Sequence, residues 1–136
     1  MTTIADIHVG DELPTREHTA SNVSLFLYNA AVWNAHRIHY DEAYTTDVEH
    51  HPGVVIDGPL QGDWLCQCVL NWVGDLATLE SFSYSNRKAT YLGETLTTGG
   101  TVTAVDTESG RVTVTLFVKN DQGDVTSPGA ATLKFS

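Results

Sequence analysis

The segment Gly58–Val73 constrains the fold more than any other part of the chain. Gly58-Pro59 opens it and Gly74 comes directly after it, while Leu60, Trp64, Leu65, Val69 and Trp72 spread apolar side chains around most of its circumference. Proline suits the first helical position, where its missing N–H is not needed, and glycine suits the stop. The pattern predicts a helix from Gly58 to about Val73 that must be largely buried. The remainder of the chain reads as β. Leu79–Lys88 alternates moderately, Thr95–Val105 is rich in threonine and valine, and Arg111–Lys119 alternates clearly through Val112, Val114, Leu116 and Val118. Turns are predicted at Asp106–Gly110 and Asn120–Asp124, then a last strand over Val125–Phe135, bent at Ser127-Pro128-Gly129. Helices first and a meander of long strands afterwards mean an α+β chain: an antiparallel sheet wrapped around one long central helix.

The first half is shorter in its elements. Val9-Gly10-Asp11-Glu12-Leu13-Pro14 reads as a turn into a short strand near Thr15–Thr19. Val23, Phe26, Leu27 and Ala30 fall at helical spacing behind a Ser21 N-cap, which predicts a helix over Ser21–Ala31. Asp41–Val48 reads as one or two helical turns capped by Asp41 and broken at Pro52-Gly53. Val54-Val55-Ile56 reads as a short buried strand or extended run.

Residues 1–136 are of single-domain size, with 41% hydrophobic and 18% charged residues. No run of about eighteen apolar residues is present, so no membrane partner is expected. Met1–Asp6 has neither a basic end nor an apolar stretch, so no signal peptide is expected and cytoplasm is the simple reading. Seven Lys and Arg against seventeen Asp and Glu give a net charge of −10, which argues against nucleic acid but not against a small anionic ligand. Cys66 and Cys68 stand two apart on the predicted helix and point to different faces, so free thiols are expected.

Chemistry is concentrated in Asn34-Ala35-His36-Arg37-Ile38-His39-Tyr40-Asp41. Two histidines, an arginine, an amide and a carboxylate are costly beside a core unless paired or used. Asp57-Gly58-Pro59 then opens the apolar helix. The two together suggest an acid/base group facing backbone donors. A metal set of His36, His39 and Asp41 is disfavoured by the Arg37 cation between them, so no metal is expected.

The order of elements resembles the hot-dog fold, and the motifs point to its MaoC-like hydratases and dehydratases, which carry Asp-x-Asn-Pro-(Ile/Leu)-His after a helix. Here His39 and the trailing Asp41 match, Asn34 stands for the leading Asp, and His36-Arg37 stands for Asn-Pro. This variant looks like the subgroup related to mitochondrial 3-hydroxyacyl-thioester dehydratase and mesaconyl-CoA-type hydratases. Pro52–Gln61 resembles the lead into that subgroup's central helix, whose members often have His at the position of Asp57. Phe82–Arg87, Tyr91–Leu96 and Val9–Pro14 resemble further segments.

The resemblance implies hydration of an α,β-unsaturated acyl-CoA thioester, or the reverse dehydration of a 3-hydroxyacyl thioester. Such a reaction needs a base to activate water, and donors for the thioester oxygen as charge develops there. Histidine suits the first role and the free N–H groups of a helix start suit the second. Pro59 has no N–H, so Gly58 is the donor at that turn, and glycine lets the thioester approach closely. The expected catalytic residues are His39, Asn34 and Gly58. Asn34 cannot take a proton, but it can bind the water or fix the His39 tautomer. His36, Arg37, Asp57, Pro59, Arg87 and Lys88 are expected around the substrate. Arg37 and Arg87 pair either with carboxylates of the fold or with a substrate acid or CoA phosphate, which Lys88 can also meet. The competing reading of Asp57 is that it only complements the helix dipole.

No cofactor is expected beyond the CoA of the substrate. The expected assembly is a homodimer, a heterodimer with another hot-dog subunit, or a higher oligomer. Two other functions compete: a thioesterase using Asp63 on the central helix, and a non-catalytic subunit of a hetero-oligomeric dehydratase.

Overall fold

The computed structural model describes residues 3–136; Met1 and Thr2, which begin the stretch read as lacking a signal peptide, lie outside them. Among the described residues, three α-helices and five strands run in the order β1 (Arg16–Thr19), α1 (Asn22–Ala31), α2 (Glu42–Asp47), α3 (Gly58–Val73), β2 (Ala77–Tyr84), β3 (Thr95–Asp106), β4 (Arg111–Lys119) and β5 (Val125–Phe135). The strands form one antiparallel sheet in the order β1-β3-β4-β5-β2. It curls around α3, which touches β2, β3, β4 and β5. This is the hot-dog architecture.

The core forms where α3 meets the inner face of the sheet. Leu65, Val69 and Val73 of α3 are buried with Leu96, Val102, Val112, Val114, Leu116, Val118 and Leu133 of the strands. Burying each such side chain contributes about 1.5–3 kcal/mol. Alternation in β4 delivers this: Val112, Val114, Leu116 and Val118 all face inward. Gly62 lets the helix pass close to β2, since a Cβ there would lie 2.5 Å from the Tyr84 ring. The helix stops at Gly74, whose φ of 54° suits glycine and whose N–H bonds the Leu70 carbonyl.

The boundaries of α3, β4 and β5 coincide with the expectation. Strand β2 starts earlier than Leu79 and ends at Tyr84, because Ser85 and Arg87 leave the ladder to bond the carbonyls of Pro128 and Thr126. Pro128 sits in β5 just past Gly129, the last residue that β2 pairs, and its carbonyl still accepts from the Ser85 N–H. The irregularity in β5 is a shift of register between Val118 and Lys119. Val54–Ile56 is an extended run with one bridge, Val55 to Tyr91.

Helix α1 forms where expected, with Ser21 as N-cap accepting from Ser24 N–H. Its apolar spacing does not mark its buried side, however. Val23, Phe26 and Leu27 are exposed, while Leu25 and Asn29 are buried. The inward face carries an asparagine because a carboxylate waits for it below. Cys66 is half-buried, Cys68 is buried, and both are free thiols. No helix among the described residues is long and apolar enough to cross a membrane.

Candidate active site

The end of α1 sets the position of Asn34. Trp33 adopts a left-handed φ of 57°, its N–H reaches the Ala30 carbonyl at 3.4 Å, and the Asn34 N–H reaches the Asn29 carbonyl at 2.9 Å. These are the paired bonds of a Schellman ending. Left-handed backbone strains a residue other than glycine, so the turn is fixed by its surroundings. Asn34 then accepts from the His36 N–H through Oδ1 at 3.1 Å and points Nδ2 inward, toward Asp57.

His39 ends a single 3-10 turn, Arg37–His39, and is buried. Asp41 braces this turn from below. One oxygen caps α2 through the Tyr44 N–H at 3.0 Å, and the other accepts from Arg37 Nε and Nη2 at 3.1 and 2.8 Å. The Tyr44 N–H first, and Arg37 second, hold the Asp41 carboxyl below its usual range. The Arg37 guanidinium also stacks over the Tyr44 ring, 4.1 Å from its centre. Arg37 therefore fastens the loop to α2 at the exposed side. His36 is exposed and meets the His39 ring edge-on, with centres 5.7 Å apart.

The His39 ring is oriented by the run in front of α3. Val55 N–H bonds the Ile38 carbonyl at 2.9 Å, and the Val55 carbonyl lies 2.8 Å from His39 Nδ1. A carbonyl only accepts, so Nδ1 carries the hydrogen, and the lone pair of the neutral ring resides on Nε2. Ile38, His39, Ile56, Gly58, Pro59, Arg87 and Lys88 line a single groove of about 380 Å³. Gly58 is the first residue of α3, so its N–H belongs to the set that the helix itself does not satisfy. The positive end of the α3 dipole adds to it. Arg87 and Lys88 stand exposed at the same groove; Arg87 Nε donates to Ser85 Oγ, and Lys88 Nζ meets Asp124 at 2.8 Å.

The groove thus brings together His39, Gly58, Pro59, Arg87 and Lys88 from positions far apart in sequence. Asn34 borders a separate apolar hollow of about 340 Å³ with Phe26, Trp33 and Tyr40. Asp57, expected around the substrate and at the helix dipole, is fully buried. It is the N-cap of α3, yet its side chain makes no capping bond. Its Oδ1 accepts from Asn29 Nδ2 at 3.0 Å and lies 3.4 Å from His39 Nδ1, and its Oδ2 accepts from Asn34 Nδ2 at 3.1 Å. Asn29 Nδ2 also donates to the Leu25 carbonyl at 2.8 Å, and Asn29 Oδ1 is buried without a partner. Such an orphan costs about 1–3 kcal/mol.

Asn29, Gln61 and Asn86 escaped the sequence reading. Gln61 is buried and links Thr90 Oγ1 at 2.9 Å to Ser127 Oγ at 3.2 Å, tying α3 to β5 and to the segment before β3. Asn86 covers Gly58 so closely that a Cβ there would lie 2.1 Å from Asn86 Nδ2. The one signal for Asn29 is an amide inside a helix, where asparagine is a poor former. Asp63 lies apart from the groove, near Tyr28. Burial, then Asp63 and Asp57, push the Tyr28 phenol up to about 12, so Tyr28 stays a donor. Among the described residues no three His, Cys, Asp or Glu side chains gather to hold a metal ion.

Comparisons with known proteins bear on the family and the fold. A mesaconyl-C(4)-CoA hydratase of Chloroflexus aurantiacus is 53% identical over 36 residues, 26% of this chain and 13% of that protein. The mitochondrial hydroxyacyl-thioester dehydratase type 2 of Schizosaccharomyces pombe is 40% identical over 42 residues, 31% of this chain and 14% of that protein. The matches therefore span about an eighth to a seventh of these longer relatives. Among solved structures, the (R)-hydratase from A. caviae involved in PHA biosynthesis superposes with a TM-score of 0.87 at 17% identity, over 96% of this chain and 98% of that one. A chain of the ChsH1–ChsH2 complex from Mycobacterium tuberculosis superposes with a TM-score of 0.84 at 21% identity, over 95% and 98%. Such hot-dog relatives thus include hetero-complexes. The model of the family described as hydroxyacyl-thioester dehydratase type 2 matches residues 6–92, which reaches from the first turn through the histidine loop and α3 to the bridge at Tyr91, and the chain belongs to that family.

Proposed function

We propose that this chain hydrates an α,β-unsaturated acyl-CoA thioester, or dehydrates the corresponding 3-hydroxyacyl thioester. The observation that carries the reading is the shared groove. His39 has Nδ1 tied to the Val55 carbonyl and Nε2 left for chemistry, and the first N–H of α3 lies in the same groove. In the hydration direction His39 Nε2 takes a proton from water as its oxygen bonds the β-carbon. The alkene electrons move toward the thioester carbonyl, whose oxygen gains charge beside the Gly58 N–H. The imidazolium then returns its proton to the α-carbon and the carbonyl reforms. The chemistry needs no further cofactor, since each proton taken is returned. Arg87 and Lys88 at the groove mouth meet the CoA phosphates, and Pro59 shapes its wall. Asn34 contributes through its amide rather than as a proton carrier.

The direct test is a short enoyl-CoA followed at its enoyl absorbance. The expected result is loss of that absorbance and recovery of 3-hydroxyacyl-CoA with no free thiol. Release of CoA thiol instead marks the thioesterase reading on Asp63. Gly58→Ala provides a second check. The new methyl must displace Asn86 and crowds the thioester position, so kcat/KM falls on the order of a hundredfold, the scale of a small misplacement at a reacting centre. A variant that keeps the wild-type rate removes Gly58 from the site.

The assembly we propose is a pair with a second hot-dog subunit. Supporting it, α1 and its end carry an exposed apolar strip of Phe26, Leu27 and Trp33, the last 94% exposed, at the edge of the site. The mass of the native assembly distinguishes a homodimer from a heterodimer.

A further inference from the structure

The Asp57 carboxylate lies behind the groove that holds His39 and Gly58, fully buried and not among the residues that line it. An aspartate before a helix ordinarily caps it, and this one does not. Its partners are instead the amides of Asn29 and Asn34 and the Nδ1 side of the His39 ring. All three present N–H groups, the surroundings that an ionised carboxylate requires. Asn29 meets it while its own oxygen stays buried and unpartnered, so the local structure favours the carboxylate at a cost elsewhere. The ring hydrogen on Nδ1 goes first to the Val55 carbonyl at 2.8 Å, and Asp57 Oδ1 stands beside that bond at 3.4 Å. A fixed anion at this distance in a dry interior acts on the ring more strongly than it does in water.

We propose that Asp57 is a positioning residue of the reaction. Its carboxylate, held by Asn29 and Asn34, braces the His39 ring from behind and offsets the positive charge the ring carries between taking a proton from water and returning it to carbon. This rests on the reading of His39 as general base and acid. It also gives Asn34 a role that an aspartate cannot fill: its amide donates to Asp57, and no proton passes through it. The grouping joins the end of α1, the N-cap of α3 and the histidine turn into one unit.

The test combines single and double substitutions on the intact protein. Asp57→Ser removes the charge without crowding the two amides, and Asp57→Asn removes it at constant size. Either one that melts cooperatively is read for kcat and KM with the short enoyl-CoA. The expected result is a loss of at least tenfold in kcat with KM within threefold. In a His39→Ala background the same substitution adds less than threefold, because a residue that acts through the ring has nothing left to act on. A smaller loss in kcat, a loss carried by KM, or an equal loss in both backgrounds overturns the proposal. The two readings fail separately. If His39→Ala keeps the rate, the function proposed for the groove fails; if His39→Ala loses it and the Asp57 variants do not, only the pairing fails.

Discussion

The expected result for His39→Ala is a hydration rate at least about a hundredfold lower, the lower end of what a positioned acid/base group contributes. The reason is local. His39 is the histidine that lines the groove shared with Gly58, while His36 lies outside on the exposed side. The substitution leaves the Val55 carbonyl without its ring donor, at about 1–3 kcal/mol, so thermal melting must accompany the kinetics. The fold survives because its core is built from α3 against the sheet, and His39 is not part of that cluster. A folded His39→Ala protein within tenfold of the wild-type rate sinks the assignment of the base.

Asn34→Asp is the second large effect, and it goes against the resemblance. Aspartate is the usual residue there among MaoC-like enzymes, so homology alone expects a neutral or favourable change. The geometry here expects the opposite. Asn34 Nδ2 donates to Asp57 Oδ2 at 3.1 Å, and a carboxylate in its place sets two acids against each other around a fully buried group. One of them must take a proton or the contact must open. Allowing for the partial exposure of Asn34, the loss is on the order of 2–3 kcal/mol, with a tenfold or greater fall in rate. The check is a denaturant series on Asn34→Asp, Asp57→Asn and the double variant, in which the amide and the carboxylate exchange places. The double variant should be more stable than Asn34→Asp alone. Wild-type stability for Asn34→Asp means that its amide is not tied to Asp57 in solution.

These two residues also show how far the chain can be read without its fold. His39 and Gly58 could be singled out as candidates because each stands in a local pattern, a dense polar octapeptide and a glycine-proline helix start. Their meeting in one groove depends on the Ile38–Val55 bond. Arg37, left open between a carboxylate of the fold and the substrate, pairs with Asp41 one helical turn away on the exposed side, outside the groove. Asp57 was not legible. Before a helix it reads as a cap or a dipole partner, and nothing in its neighbours says that two amides will reach it from 28 and 23 residues earlier. Asn86 over Gly58 and Ser127 beside Gln61 were hidden for the same reason.

The sequence by itself determined the elements whose signals are local. Period, caps and breakers act within a few residues, so α3, β4, β5 and the N-caps Ser21 and Asp41 stand where the pattern put them. The tertiary structure alone decided which face of α1 turns inward. Val23, Phe26 and Leu27 are left exposed, while the inner face turns Leu25 to the core and Asn29 to the buried carboxylate. It also decided the direction of Asp57, toward the histidine and away from the helix end. Both outcomes rest on contacts between residues far apart in the chain, and side-chain pairing across such distances is set by packing rather than by neighbours in the chain.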